Sequence, residues 1–275
     1  MSRETQNNIS YACARFQEKL EFCEDDLQTW TDSLNELSEI EQAFEDKLHG
    51  NKLRGKTILD IGTYGVKPLY IALKYEPKRI IGINEEFRDY TADIKTKSKL
   101  FVKTEIKFYP CNFFNYVKLE KILTNEKQKR SDFVLLSNTL HHLRTGECIA
   151  KERDQENEDS CTERKQKHTC QDDEKFCIYR FEEQKIFQRL LKLGKRVIVY
   201  EWFDASTEDN DKVRGRGGYF TIKEWKKILR YLAEKYNVEL IQPIRCSIDK
   251  EKLENVAMKL RQTDCICFYV EMKDV

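Results

Sequence analysis

The sequence predicts an α/β protein: a doubly wound, mostly parallel sheet of seven strands with an N-terminal helical extension. Three observations predict it. Short, nearly unbroken apolar runs alternate with helical runs from Thr57 onward, as strands covered on both faces by helices require. A glycine turn, Gly62 to Gly65, joins the first apolar run to the first helical one. The final apolar run, Cys265–Glu271, follows a charged and only partly helical connection, so the last strand returns beside the one before it.

Residues 1–54 form the extension. Phe16, Leu20, Cys23, Leu27 and Trp30 recur at three- and four-residue steps, and Leu34, Leu37, Ile40, Phe44 and Leu48 continue them. Two readings stay open here: helices packed onto the main domain, or a lid over a ligand pocket. Residues 55–275 form the main domain. Its strands are Thr57–Ile61, Arg79–Ile83, Glu105–Tyr109 (stopped by Pro110), Phe133–Ser137, Arg196–Glu201, Val238–Ile241 and Cys265–Glu271. Helical runs span Lys67–Tyr75, Phe87–Leu100, Tyr116–Leu123, Phe181–Leu193 and Ile222–Tyr236. Thr221 and Glu224 make a capping box at the start of the last of these. A charged insertion with few apolar anchors occupies about 144–180.

Composition narrows the function. Charged residues are 35% and hydrophobic ones 40% of the 275 residues, with a net charge of +1. That balance gives no global reason to bind nucleic acid or an anionic membrane. No apolar run approaches the roughly 20 residues of a membrane span. There is no secretory pattern at Met1–Thr5, and a chain this long can build its own core, so the ten cysteines read as free thiols in a reducing, cytoplasmic setting. Cys265 and Cys267 read as small core residues. Cys148, Cys161, His168, Cys170 and Cys177 cluster in the insertion, but no Cys-x-x-Cys pair exists, so no metal site is assigned.

The chemistry gathers at the ends of strands, where open α/β sheets bind ligands. Asp60 and Gly62 combine an acid with a tight turn, and Tyr64 stands before Gly65. A dinucleotide fold asks for Gly-x-Gly-x-x-Gly, which this turn does not supply. Asn84 and Glu85 end the second strand, where a ribose is held. Asn112 and Phe113 follow the third, suited to a base edge and a ring face. Ser137 opens the run Ser137-Asn138-Thr139-Leu140-His141-His142-Leu143 after the fourth. His141 or His142 can take a proton near neutral pH, or can fix the loop by hydrogen bonds. Trp202 ends the fifth strand, and Arg214 and Arg216 lie in a glycine-bearing loop that can close on an anion or stay solvated.

This strand order and these motifs resemble the class I S-adenosylmethionine-dependent methyltransferases over about residues 55–273, less the insertion. The resemblance implies a Rossmann-like methyltransferase sheet whose last strand lies antiparallel between its neighbours. It implies S-adenosylmethionine as cofactor, held by Asp60, Gly62, Thr63, Gly65, Asn84, Glu85, Asn112, Phe113 and Ser137. His141 and His142 become the catalytic candidates, with Trp202, Arg214 and Arg216 facing the substrate. A small-molecule acceptor is favoured by the charge and the Leu-His-His-Leu run. RNA is the alternative, as is a non-catalytic binding or scaffold protein that keeps the fold. Residues 1–50 or the insertion can also meet a protein partner.

Overall fold

The computed structural model describes residues 53–63, 67–84, 104–113, 115–127, 129–140, 143, 182–202, 220–249, 252–263 and 265–273. The predicted helices of residues 1–50 and 87–100, and the insertion with its cysteines, lie outside them. The described elements are β1 (Thr57–Ile61), α1 (Lys67–Tyr75), β2 (Arg79–Asn84), β3 (Glu105–Pro110), α2 (Tyr116–Asn125), β4 (Ser131–Ser137), α3 (Glu182–Leu193), β5 (Gly194–Trp202), α4 (Ile222–Lys235), β6 (Tyr236–Gln242), β7 (Cys246–Ser247), α5 (Leu253–Leu260) and β8 (Cys265–Met272). The strand order is β3-β2-β1-β4-β5-β8-β6-β7. Eight strands stand where seven were predicted. The additional one is the two-residue β7, which pairs antiparallel with β6 at Glu239–Ser247 and Leu240–Cys246. So short a strand has no alternation to read. No described helix is long and apolar enough to cross a membrane.

The chain divides into two compact units, Met1–Phe133 and Val134–Val275. In the first, β1, β2 and β3 pair in parallel. All five residues of β1 are buried, as an apolar strand covered on both faces must be. One register line runs from Asp60 through Gly82 to Phe108. Gly82 has a steric reason: a Cβ there would stand 2.6 Å from Phe108 Cδ1 and 2.8 Å from Thr63 Cγ2. Asn115 caps α2 by accepting the Lys118 N–H at 3.0 Å, and Leu119, Ile122 and Leu123 bury its inner face. Along β3, Lys107 and Tyr109 meet the buried Glu126, and Arg79 bonds Glu105 at 2.6 Å.

In the second unit β8 lies antiparallel to β5 on one side and to β6 on the other. This is the reversed last strand that the resemblance implies. Cys265 and Cys267 are buried free thiols within it, as their apolar surroundings predict. Ile222, Trp225, Ile228, Leu229 and Leu232 bury one face of α4, following its three- and four-residue steps. The capping box is present: Glu224 N–H donates to Thr221 Oγ1, and Thr221 N–H donates to Glu224 Oε2 at 2.9 Å. Trp225 packs against Phe220 at 4.9 Å and edge-on to Phe268 at 5.7 Å, which centres the core on fully buried aromatics.

Candidate functional site

In the first unit the carboxyl ends of β1 and β2 are tied into one small network. Gly62 follows β1 with φ at +70°, the left-handed region that glycine enters without steric cost. That geometry turns two successive amides onto one carbonyl: Gly62 N–H and Thr63 N–H donate to Ile83 O at 2.8 and 3.0 Å. Asn84 completes the tie, its side-chain amide donating to the Thr63 carbonyl at 2.8 Å. The Asn84 carbonyl in turn accepts the Cys111 N–H at 2.8 Å, which brings in the segment after β3.

Asp60 sits at the centre and is fully buried. The Thr63 hydroxyl donates to its Oδ2. Its Oδ1 is buried with no protein hydrogen-bond partner. Burial pushes the Asp60 carboxyl above its ordinary range; the charge of Lys67 and the Thr63 bond pull it back without cancelling the rise. Lys67 is itself buried, at the first position of α1. A buried carboxylate oxygen without a donor is costly, and a cationic or hydrogen-bonding ligand group relieves it.

Asn112 is half-buried beyond β3, and its carbonyl accepts the Asn115 N–H at 3.0 Å. Phe113 is buried. Thus Asp60, Gly62, Thr63 and Asn84 are joined directly, with Asn112 and Phe113 next along the chain from Cys111. Gly65 and Glu85 lie outside the described residues.

The second unit has its own strand-end cluster. Ser137 ends β4, buried, and its hydroxyl has no hydrogen-bond partner. Asn138 follows with φ at +47°, a conformation that asparagine adopts more readily than most residues. Glu201, fully buried near the end of β5, accepts the Leu140 N–H at 2.8 Å. Trp202 is 45% exposed, while its indole N–H is held by the buried Tyr200 hydroxyl at 2.9 Å. The ring is therefore fixed and still offers surface. His141, His142, Arg214 and Arg216 lie outside the described residues.

Four residues of these clusters were not singled out as site residues from sequence: Lys67, Gly82, Asn138 and Glu201. Weak signals existed for two. A lone glycine inside a strand marks close approach, and an acid inside an apolar strand asks for a partner.

The order of strands, with β8 reversed between β5 and β6, is the order that the resemblance to the class I methyltransferases implies. No protein-family model and no curated protein matches the chain. Solved structures do. The plantazolicin methyltransferase BamL, in complex with a triazolic desmethylPZN analog and SAH, matches at 11% identity and TM-score 0.45, over 99% of this chain and 98% of that one. The plantazolicin methyltransferase BpumL with SAH matches at 13% identity and TM-score 0.44, over 98% and 100%. The 16S rRNA methyltransferase RmtF with S-adenosyl-L-homocysteine matches at 12% identity and TM-score 0.43, over 99% and 77%. The fold assignment stands on strand order and register.

Proposed function

We propose that the protein is an S-adenosylmethionine-dependent methyltransferase. The observation that carries this reading is the fully buried Asp60, with one oxygen unpartnered, beside the left-handed turn at Gly62. An amino group of the donor matches that oxygen in charge and hydrogen bonding. The bound donor supplies an electrophilic methyl group on sulfur, so the protein's main work is to place an acceptor in line with it.

Thr63 orients Asp60, and the Ile83 carbonyl fixes the turn against which the donor would lie. Asn84 donates its amide to Thr63, and a side-chain amide oxygen at this strand end is of the kind that accepts a ribose hydroxyl. Asn112 and Phe113 would take the adenine edge and face. Gly65 and Glu85 belong to the same strand ends in sequence. In the second unit, the unpartnered Ser137 hydroxyl is a hydrogen-bonding group for a ligand at the end of β4.

The acceptor is a small molecule in this reading, supported by the net charge of +1 and the Leu-His-His-Leu run. His141 or His142 would take its proton, with the fixed face of Trp202 walling the pocket. RNA is the second reading, and Arg214 and Arg216 are what favour it. Calorimetry with S-adenosylmethionine and S-adenosylhomocysteine is the test. Binding with a Kd of roughly micromolar order is expected; no heat from either at about 1 mM would leave a fold kept for non-catalytic binding.

A further inference from the structure

Trp202, the last residue of β5, is held at two points. Its backbone N–H donates to Asn138 Oδ1 at 3.1 Å, and its indole N–H donates to the Tyr200 hydroxyl at 2.9 Å. Asn138 is itself tied to β5, its N–H donating to Tyr200 O at 2.9 Å. Tyr200 is fully buried, so the indole is anchored to the core. Yet Trp202 is the one exposed aromatic among the residues whose side chains are described. Ordering a loose side chain weakens binding, and here folding has already ordered this one. The indole has a single donor and it is engaged, so the ring offers a ligand its π face and no hydrogen bond.

The hydrogen bond comes from the neighbouring strand. Ser137 ends β4, which lies beside β5, and its buried hydroxyl has no hydrogen-bond partner. The bond from Asn138 N–H to Tyr200 O sets Ser137 abreast of Tyr200, two residues before Trp202. A buried polar group left unpaired is costly, and a ligand's polar group relieves it.

We propose that the ends of β4 and β5 form a stacking subsite for the methyl acceptor, a small molecule with a flat aromatic or heteroaromatic ring that bears a hydrogen-bonding group. The ring lies on Trp202 and its polar group meets Ser137. The proposal rests on the methyltransferase reading and names the class of acceptor within it. Stacked aromatic pairs gain affinity beyond the area they bury, and they reward a fixed ring. A cation fits less well, because ammonium groups are recognised by cages of several aromatic rings. A nucleobase of RNA offers the same flat ring, but a net charge of +1 favours a free molecule over a polyanion.

The test titrates the full-length protein with 2-naphthol and with its saturated counterpart, decahydro-2-naphthol. Indole N–H signals are followed by NMR in isotope-labelled protein. The chain has three tryptophans, and Trp202→Phe identifies the Trp202 signal. Affinities in the variants are read from the ligands' own signals. In wild type, 2-naphthol should move the Trp202 signal and bind roughly fivefold tighter than the saturated alcohol. A surface that is only apolar would favour the saturated alcohol, which is the more hydrophobic. Trp202→Leu keeps an apolar side chain and should abolish the preference, while Trp202→Phe should keep part of it. Ser137→Ala should weaken 2-naphthol roughly threefold or more. Equal or reversed preference in wild type overturns the proposal, as does a preference that survives in Trp202→Leu. Unchanged 2-naphthol affinity in Ser137→Ala overturns the pairing with Ser137. An oligoadenylate that binds at Trp202 more tightly than 2-naphthol overturns the small-molecule acceptor. None of these titrations uses the methyl donor. If calorimetry finds no donor binding while the preference holds, the methyltransferase reading falls and the stacking subsite stands; donor binding without the preference gives the reverse.

Discussion

Asn84 donates its side-chain amide to the carbonyl of Thr63 at 2.8 Å, which fastens the end of β2 to the turn that follows β1. Thr63 passes the restraint on through its hydroxyl to Asp60. Asn84, twenty-one residues beyond Thr63, thus helps to aim the buried carboxylate.

Asp60→Asn should stabilise the protein and weaken the donor. The folded carboxyl binds its proton more tightly than the unfolded one, because burial raises it. Its favourable contribution is full below the unfolded value near 3.9 and is lost as pH rises through the folded value. At neutral pH the amide removes that cost, so the thermal midpoint should rise. Donor affinity should fall roughly tenfold or more with the loss of a charged hydrogen bond. A lower midpoint together with unchanged affinity in calorimetry would contradict both halves.

Gly62→Ala should cost about 1–2 kcal/mol, since an alanine at φ +70° crowds its own carbonyl. Urea unfolding measures it. An unchanged midpoint would show that the turn relaxes out of the left-handed region.

Gly82→Ala should destabilise by about 1–3 kcal/mol, because the new methyl meets both Phe108 and the Thr63 methyl. Thr63 holds Asp60, so donor binding should weaken as well. Loss of stability with full donor affinity would mean that Phe108 alone gives way.

Glu126→Gln tests the network on β3. Burial pushes Glu126 up, but bonds from Lys107 and Tyr109 and the charges of Lys107 and Arg79 hold it below the ordinary range. On the same bond, burial and Glu126 push the Tyr109 hydroxyl up to about 12. The stabilisation from Glu126 is present above the unfolded value near 4.3 and is lost as pH falls through the folded value. The variant should therefore be weaker by about 1–3 kcal/mol at pH 7. Its deficit should shrink as pH drops below about 4. Denaturant curves at the two extremes decide; an equal deficit at both would refute the ion-pair account.

Thr221→Ala removes one half of the capping box on α4 and should cost about 1 kcal/mol. A thermal midpoint equal to that of wild type would mean that Glu224 alone secures the helix start.

The strands were legible because a sheet covered on both faces leaves apolar runs that nothing else in the chain imitates. Helix α4 was legible to its first residue through Thr221 and Glu224. Asp60 stood out as an acid within such a run. The bond between Leu140 and Glu201 did not, because the two residues are sixty-one apart in sequence and meet only where β4 and β5 end. Gly82 was hidden for a related reason: its need for space arises from Phe108 and Thr63, both brought close by register. The strand β7 is too short to carry a pattern of its own.

The strand β8 comes last among the described strands, yet it occupies an interior position between β5 and β6. During synthesis, β5 and β6 emerge first and must wait for the strand that separates them. Until residues 265–272 leave the ribosome, each shows an unpaired edge, and pairing directly with one another is a trap open to them. The carboxyl half of the described sheet can therefore close only once residues 265–272 have emerged. A chain cut before Cys265 would lose the middle of this half, not its margin.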